Sequence, residues 1–453
     1  MTQHGIVTPA RIQDPVRLGD LTADTVAALS KRAGEPDFLA RRRMAAWAFC
    51  EKTPVPSRLE ELWRRTDISN LRWDSILVAR EPHPEVGSAD ELPAAVREDL
   101  GPRAERAALL VQLDSSAVYT ERDPELTRLG VILMPIAEAA RVHPALLEKT
   151  LGRVVRFDES RFTGLSAALS GGGAFVHVPD GITVPRPIEL LFSRQTADLG
   201  TFPHVLVSIG ARAEASVIES YFSAGEPGVG ANVGATEISV AEGGSLHMAT
   251  FQRWGGNVYH FGTERVRVGR DARFHWTFTA LGGKLTKMDL EMHLEGEGSE
   301  AKFSGCYFGN QTQHFDFHTF QNHLVGHTTS DLLFKGALRD RARTVYQGLI
   351  RVHKAAQRSD AYQANRNLLL SDKARADSIP SLEIEANDVR CTHGATVGQI
   401  DDEQLLYLMT RGLARPEAER MIIGGFFEPV LQRIPAESLR AAVTAAVDRK
   451  ATG

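Results

Sequence analysis

Cys391-Thr392-His393 is the stretch with the clearest capacity for chemistry in these 453 residues. It follows two alternating apolar and polar runs, Leu382-Glu-Ile-Glu385 and Asp388-Val-Arg390. If that alternation continues as a strand, Cys391 and His393 share a face, with backbones about 6.5–7 Å apart. A thiolate and a neutral imidazole are both ligands for iron and related metals. The spacing is wide for two ligands on one mononuclear ion. It suits two groups touching different edges of a polynuclear cluster, or one ligand with a hydrogen-bonding neighbour. Gly394 and Gly398 let the backbone turn sharply just beyond. The plainer reading of the same residues is a buried free cysteine beside a satisfied histidine.

A second grouping draws on the 15 histidines: His314, His318, His323 and His327, with Asp316 among them. On a strand running through Phe315 to Phe320, Asp316 and His318 project from one face, as do His314 and Asp316. Such a set serves as metal ligands, as a hydrogen-bonded ladder or as part of a polar stack.

Other chemistries lack their signatures. There is no G-x-x-x-x-G-K-[ST] phosphate loop, G-x-S-x-G elbow, H-E-x-x-H or C-x-x-C. Gly225, Gly228, Gly230 and Gly234 miss the G-x-G-x-x-G spacing and read as a loop. No nucleotide is expected on this chain. The three cysteines, Cys50, Cys306 and Cys391, are isolated and odd in number, so a four-cysteine site within one chain is excluded. That usage points to a reducing compartment, and Met1 to Gly19 contains no apolar segment behind a basic one, so a cytoplasmic location is expected. A net charge of −5 gives no nucleic-acid-binding field. Arg41-Arg42-Arg43 reads as a solvated helix face. No run approaches the roughly 18 apolar residues that a membrane span needs.

The elements that must position these residues follow from periodicity. Thr25–Leu29 and Phe38–Phe49 repeat apolar residues at helical steps. Ser57 with Glu60 three residues on has the form of a capping box, opening a helix that carries Leu59, Leu62 and Trp63. Residues 76–100 read as a connecting segment. Residues 107–155 combine a strand, Ala107–Leu113, with a helical stretch around Ile136–Leu151. From about Gly171 to Gly398 short alternating runs dominate: Ala174–Val178, Val205–Ile209, Ala215–Ile218, Thr236–Val240, Glu264–Val268, Phe274–Phe278 and Leu290–Leu294. Turn clusters recur at Gly210, Gly243, Gly269 and Gly296 at intervals that suit the coils of a β-solenoid. A β-sandwich would also give short, evenly spaced strands. Beyond Asp401, an N-cap candidate, helical stripes return. They are Leu405, Leu408 and Met409 up to a stop at Arg411-Gly412, then Ala418, Met421, Ile422, Phe426 and Val430 after Pro416, then Leu439, Val443 and Val447. The division is an N-terminal helical and α/β region over 1–155, a β core over 156–398 and a C-terminal helical domain over 399–453.

Several of these stretches carry a resemblance. Asn365–Ser371, Pro380–Glu385 and Asp388–Gly398 are similar to the C-terminal signature of the SufB/SufD family of the SUF iron–sulfur cluster assembly system. Ala342–Ile350, Leu405–Leu413 and Pro56–Asp67 resemble other blocks of it. Cys391-Thr-His-Gly-Ala-Thr-Val-Gly398 resembles the SufD form, since the Glu-His-Glu run typical of the SufB form is absent.

The resemblance implies a mainly β fold, a β-helix core flanked by helical regions, and so favours the solenoid over the sandwich. It implies a non-catalytic scaffold subunit. Such a chain pairs with a SufB-like subunit through the end of the β-helix, and binds a SufC-like ABC ATPase through the C-terminal helical domain. His393 falls at the position of a metal ligand and Cys391 at that of an interface cysteine, both toward an iron–sulfur cluster held transiently with the SufB-like partner. Three alternatives stand beside it: a SufB-like paralogue, a homodimeric iron-binding protein, and a β-helix carbohydrate-active enzyme working through paired carboxylates.

Overall fold

The computed structural model describes residues 16–79, 82–223 and 228–452. Gly225 and most of Met1–Gly19 lie outside the described residues.

Period-two alternation becomes two long parallel sheets that face each other. The chain lays one strand in the first sheet and the next in the second, then returns to stack on the strand before last. Glu214, Ser245, Arg273, Glu300, Thr329, Asp360 and Arg390 therefore lie side by side in one register, one per coil. In the second sheet Tyr259, Leu285, His314, Arg343 and Arg375 follow in the same way, each at or beside a strand start. This is a β-solenoid. The sandwich is overturned because the repeated pairings are parallel and skip one strand, where a sandwich pairs antiparallel neighbours.

Inward-facing side chains form columns through the coils. Val217, Met248, Trp276, Phe303 and Leu332 make one, with the Trp276 and Phe303 rings stacked at 4.5 Å. Burying rings of this size contributes roughly 2–3 kcal/mol each. The corners stack as well. Backbone amides of Ala241, Gly269 and Glu295 donate to the carbonyls of Ile209, Val240 and Val268 at 2.9, 2.9 and 3.0 Å. The same ladder continues from Leu324 to Leu294 and from His353 to His323. Gly228 is a turn residue, but Gly230 and Gly234 belong to the strand Gly230–Val240, which corrects the loop reading for those two.

Antiparallel strands close the start of the solenoid. Ala108–Leu113 pairs with Ser116–Arg122, and Ile132–Pro135 pairs with Ala174–Val178. The helices Ala23–Ala33, Asp37–Lys52 and Arg161–Leu169 cover the outer face of the second sheet with help from Trp63 and Trp73. Phe162 stacks on Phe261 at 4.3 Å there. Arg43 corrects the expectation of a solvated arginine run. It is buried, ion-paired with Glu35, and donates from Nη1 to the Ala168 carbonyl at 2.6 Å and from Nη2 to that of Ser170 at 2.7 Å. The helix expected after Ser57 is only a 3-10 turn, Glu61–Trp63. The Ser57 amide does donate to Glu60 Oε1 at 3.0 Å, but Leu59 and Leu62 find no core and are 93% and 56% exposed.

Of the C-terminal helices Asp402–Thr410, Arg415–Leu431 and Glu437–Thr452, the last two fold back over the outer face of the first sheet and the first packs on the second helix. Asp401 caps the first, its Oδ1 accepting from Glu403 and Gln404, and Gly412 with φ 97° ends it. The buried stripe of the second helix is Ala418, Ile423, Phe427, Val430 and Leu431, displaced by about one residue from the expected one. The displacement follows from Phe427, which packs on Phe308, while Phe426 lies under the Lys335 ammonium at 4.8 Å and Met421 faces solvent. Lys450 fastens the last helix, donating to the Phe308 carbonyl at 2.8 Å, Asn310 Oδ1 at 2.8 Å and Gln313 Oε1 at 2.6 Å. No helix among the described residues is long and apolar enough to cross a membrane.

Candidate functional site

The solenoid is closed at its start and open at its finish. The strand Arg390–Gln399 ends the first sheet and Arg375–Ile384 ends the second, and no further strand among the described residues lies on either. Residues of earlier coils are mostly buried on both faces, whereas these two strands are half-buried or exposed throughout. Leu382, Ile384, Val397 and Tyr362 are 36%, 42%, 45% and 38% exposed, unusual for side chains of this type in a β core. The outer edge of each strand also carries backbone donors and acceptors that no neighbouring strand pairs.

Cys391 and His393 lie on this terminal strand, both in inward-facing register. Cys391 stands beside Ala361 and His393 beside Gln363. Cys391 is half-buried in a small apolar cluster with Ile350, Val352, Ala356, Ala361, Ala386 and Val389. His393, two residues further on, is exposed. Burial, with the Asp360 carboxylate nearby, pushes the Cys391 thiol up, against the Ala361 backbone amide that favours the thiolate. A metal binding there displaces the thiol proton. The arrangement offers one sulfur and one nitrogen at a solvent-facing rim. Among the described residues no group of three or more His, Cys, Asp or Glu side chains is placed to hold a metal ion. A cluster with four or more ligand positions would need the rest from elsewhere.

The histidine-rich grouping is split by the strand His314–His323 into two faces. His323 points into the lumen, where its Nδ1 and Nε2 meet Thr328 Oγ1 at 2.7 Å and Ser330 Oγ at 2.8 Å. His327 is a turn residue with φ 58°. His314, Asp316 and His318 face outward, beneath the N-terminal segment. Lys287 Nζ lies 2.8 Å from Asp316 Oδ2 and 3.0 Å from His318 Nε2, and donates to the Leu62 carbonyl at 3.1 Å. The Thr66 hydroxyl also donates to Asp316. Burial pushes the Asp316 carboxyl up, but Lys287 and His318 outweigh it and hold the group well below the usual carboxylate range. This is the hydrogen-bonded alternative: a polar rivet joining the N-terminal segment to the sheet. Cys50 and Cys306 are buried elsewhere, under the N-terminal and C-terminal helices, and burial pushes both thiols up to about 12.

Two features escaped the sequence reading. Lys287, the cation that neutralises Asp316, stands alone in the strand Leu285–Leu294 and gives no local signal. The exposed apolar side chains Leu406, Tyr407 and Met409 lie on the helix Asp402–Thr410, where the expected stripe put Met409 inward.

Against known proteins, residues 20–190 match the model of the SufBD protein N-terminal region, and residues 192–426 match that of the SUF system FeS cluster assembly, SufBD core domain. The chain is 29% identical over 423 residues to iron–sulfur cluster assembly protein SufD of Bacillus subtilis, covering 93% of this chain and 96% of that one. It is 26% identical over 425 residues to SufB of the same organism, covering 92% and 90%. A SufBD family protein of Staphylococcus haemolyticus is 27% identical over 425 residues, with 92% and 90% covered. The chain thus matches a class of cluster-assembly proteins along nearly its whole length. The chain belongs to the SufBD family of the SUF iron–sulfur cluster assembly system.

Proposed function

We propose that this chain is the SufD-like subunit of a SufBCD-type scaffold, in which an iron–sulfur cluster is the cargo and not a resident cofactor. One observation carries the reading: Cys391 and His393 stand together at the open end of the solenoid, with too few ligands for a cluster of their own. A SufB-like chain presenting its own solenoid end would pair with the two open strands, cover Leu382, Ile384 and Val397, and supply the missing ligands. His393 is the metal ligand in this reading and Cys391 its interface neighbour. A neutral imidazole beside thiolates is the more exchangeable ligand, which suits a cluster that must leave.

No nucleotide is bound by this chain. A SufC-like ABC ATPase docks on the C-terminal helices, where the apolar side chains of Leu406, Tyr407, Met409 and Met421 are 61%, 58%, 40% and 61% exposed. The chain itself is a non-catalytic scaffold working in the cytoplasm. The open strands also fit a second copy of this chain, so a homodimer forms when the SufB-like subunit is absent.

Anaerobic co-expression with SufB-like and SufC-like subunits, wild type against His393→Ala, tests the reading. Complex recovery, iron, acid-labile sulfide and the visible spectrum are measured. The expected result is an intact complex in both, with iron and sulfide lost from the variant. A variant that keeps its full cluster removes His393 from the ligand set, and a wild-type chain that never joins the complex overturns the subunit assignment.

A further inference from the structure

The residue directly beneath His393 does not belong to an apolar core. His393 ends an inward-facing column whose earlier members are Val217, Met248, Trp276, Phe303 and Leu332, all apolar. Between Leu332 and His393 the column holds Gln363. Gln363 is 0% exposed, and neither Oε1 nor Nε2 has a hydrogen-bond partner. Buried carboxamides are almost always paired, because leaving the group dry and unpaired is unfavourable. Neighbouring lumen amides have a partner on at least one polar atom, although Gln321 Oε1 has none. Gln321 Nε2 donates to Ser330 Oγ at 2.6 Å and to the Tyr362 carbonyl at 3.2 Å, and Asn367 Nδ2 donates to Asn365 Oδ1 at 2.7 Å. The site has also been given room across the lumen. Gly348, in the facing sheet, lies so close that a Cβ there would run into the Gln363 carboxamide.

We infer that Gln363 is a positioning residue for His393, its carboxamide oxygen accepting the ring N–H of the imidazole and so turning the other ring nitrogen out to iron. The inference rests on the reading of His393 as a ligand and adds to it the partner that fixes the ring. The two residues are in-register neighbours on adjacent parallel strands, about 4.8 Å apart in backbone. The carboxamide lies against Gly348, and the proposed bond requires it to turn from there toward the ring. Histidine ligands characteristically donate their second nitrogen to an oxygen acceptor, which sets the tautomer and the ring orientation. An exposed imidazole on a terminal strand has many orientations; one held from below has few. Packing alone would favour a leucine or methionine here, as in the coils before.

The test uses the complete complex with SufB-like and SufC-like subunits, with Gln363→Met, Gln363→Glu and His393→Ala beside wild type. Gln363→Met matches the apolar column and removes the acceptor; Gln363→Glu keeps an acceptor. The expected result is a thermal midpoint for Gln363→Met at or above wild type, complex recovery unchanged, and iron and sulfide loading or retention reduced about 10- to 100-fold in affinity. Gln363→Glu recovers most of that loss, which a purely structural role would not produce. If Gln363→Met loads and holds the cluster as wild type does while His393→Ala is empty, the positioning role is overturned and the ligand reading stands. If Gln363→Met lowers the thermal midpoint and Gln363→Glu rescues nothing, Gln363 is a packing residue and the inference fails. If His393→Ala is also fully loaded, both the ligand reading and the inference fall.

Discussion

Asp316 and Lys287 illustrate how much one buried pair holds in this molecule. Both side chains are nearly inaccessible, at 1% and 5%, and the pair fastens Leu62 and Thr66 of the N-terminal segment to the second sheet. Asp316→Asn keeps the shape and leaves the Lys287 ammonium buried without a counter-charge. Removing one partner of a buried pair costs on the order of 3–5 kcal/mol. The expected outcome in chemical denaturation is a loss of that size, with early exposure of Trp63, followed by tryptophan fluorescence. An Asp316→Asn chain as stable as wild type would show that the pair contributes nothing net. The same histidine-rich stretch illustrates a limit of sequence reading. The shared face of His314, Asp316 and His318 was legible from period two. A structural role for them was legible too, but not the partners that give it, because Lys287 and Thr66 come from distant segments.

Elements were legible where both the local signal and the packing agreed. The strand Ala174–Val178 has the bounds that alternation gives it. Most others run longer than the alternation indicates, as in Gly230–Val240 against Thr236–Val240, because their outer faces are also covered, here at Ala231 and Val233. The glycine-marked turns at Gly210, Gly243, Gly269 and Gly296 are real corners, but the signal fades after them. Positive φ falls on non-glycine residues at early and later corners alike, as at Arg212, Asp271, His327 and Arg358 with φ 55°, 53°, 58° and 59°. Cys391 and His393 were legible as a shared-face pair; Gln363 was not, since its column exists only once coils are stacked. The C-terminal helices yield a prediction of their own. Leu406→Asp with Tyr407→Asp places charge on an exposed face, so the folded chain and its thermal midpoint should be unchanged within about 0.5 kcal/mol. Recovery of the SufC-like ATPase in pull-down should fall at least 10-fold, with the SufB-like subunit still retained. Undiminished ATPase recovery would place its docking surface elsewhere.

The lumen of the whole molecule is lined by apolar and by neutral hydrogen-bonding side chains, and contains a pair of acids near its start. Glu219 is fully buried, with Tyr221 OH and Thr236 Oγ1 donating to it at 3.3 and 3.4 Å, and burial pushes its carboxyl up to about 8. Glu264 is raised by burial and by Glu219. The unfolded chain releases the Glu219 proton near pH 4.3. Between that pH and about 8 the folded state binds more protons, so this group's contribution to stability falls as pH rises and levels off above that window. Glu219→Gln keeps the shape without the titration. The gap in thermal midpoint between Glu219→Gln and wild type is therefore expected to grow in the variant's favour from pH 5 to pH 8. A gap independent of pH would mean that Glu219 is ionised inside the fold.

The attachment of the C-terminal helices has a mechanical consequence. The helix Arg415–Leu431 grips the strands Glu300–Gly309 and Thr329–Leu338, through Phe427 on Phe308 and Lys335 on the Phe426 carbonyl. Two strand spacings, about 10 Å, separate that grip from the rim strand that carries Cys391 and His393. Stacked parallel strands joined at every corner bend little over such a length. A torque applied to the helices therefore swings the rim as one stiff piece, like a wrench held just below the jaw, and two such rims facing each other part or meet along their whole edge at once.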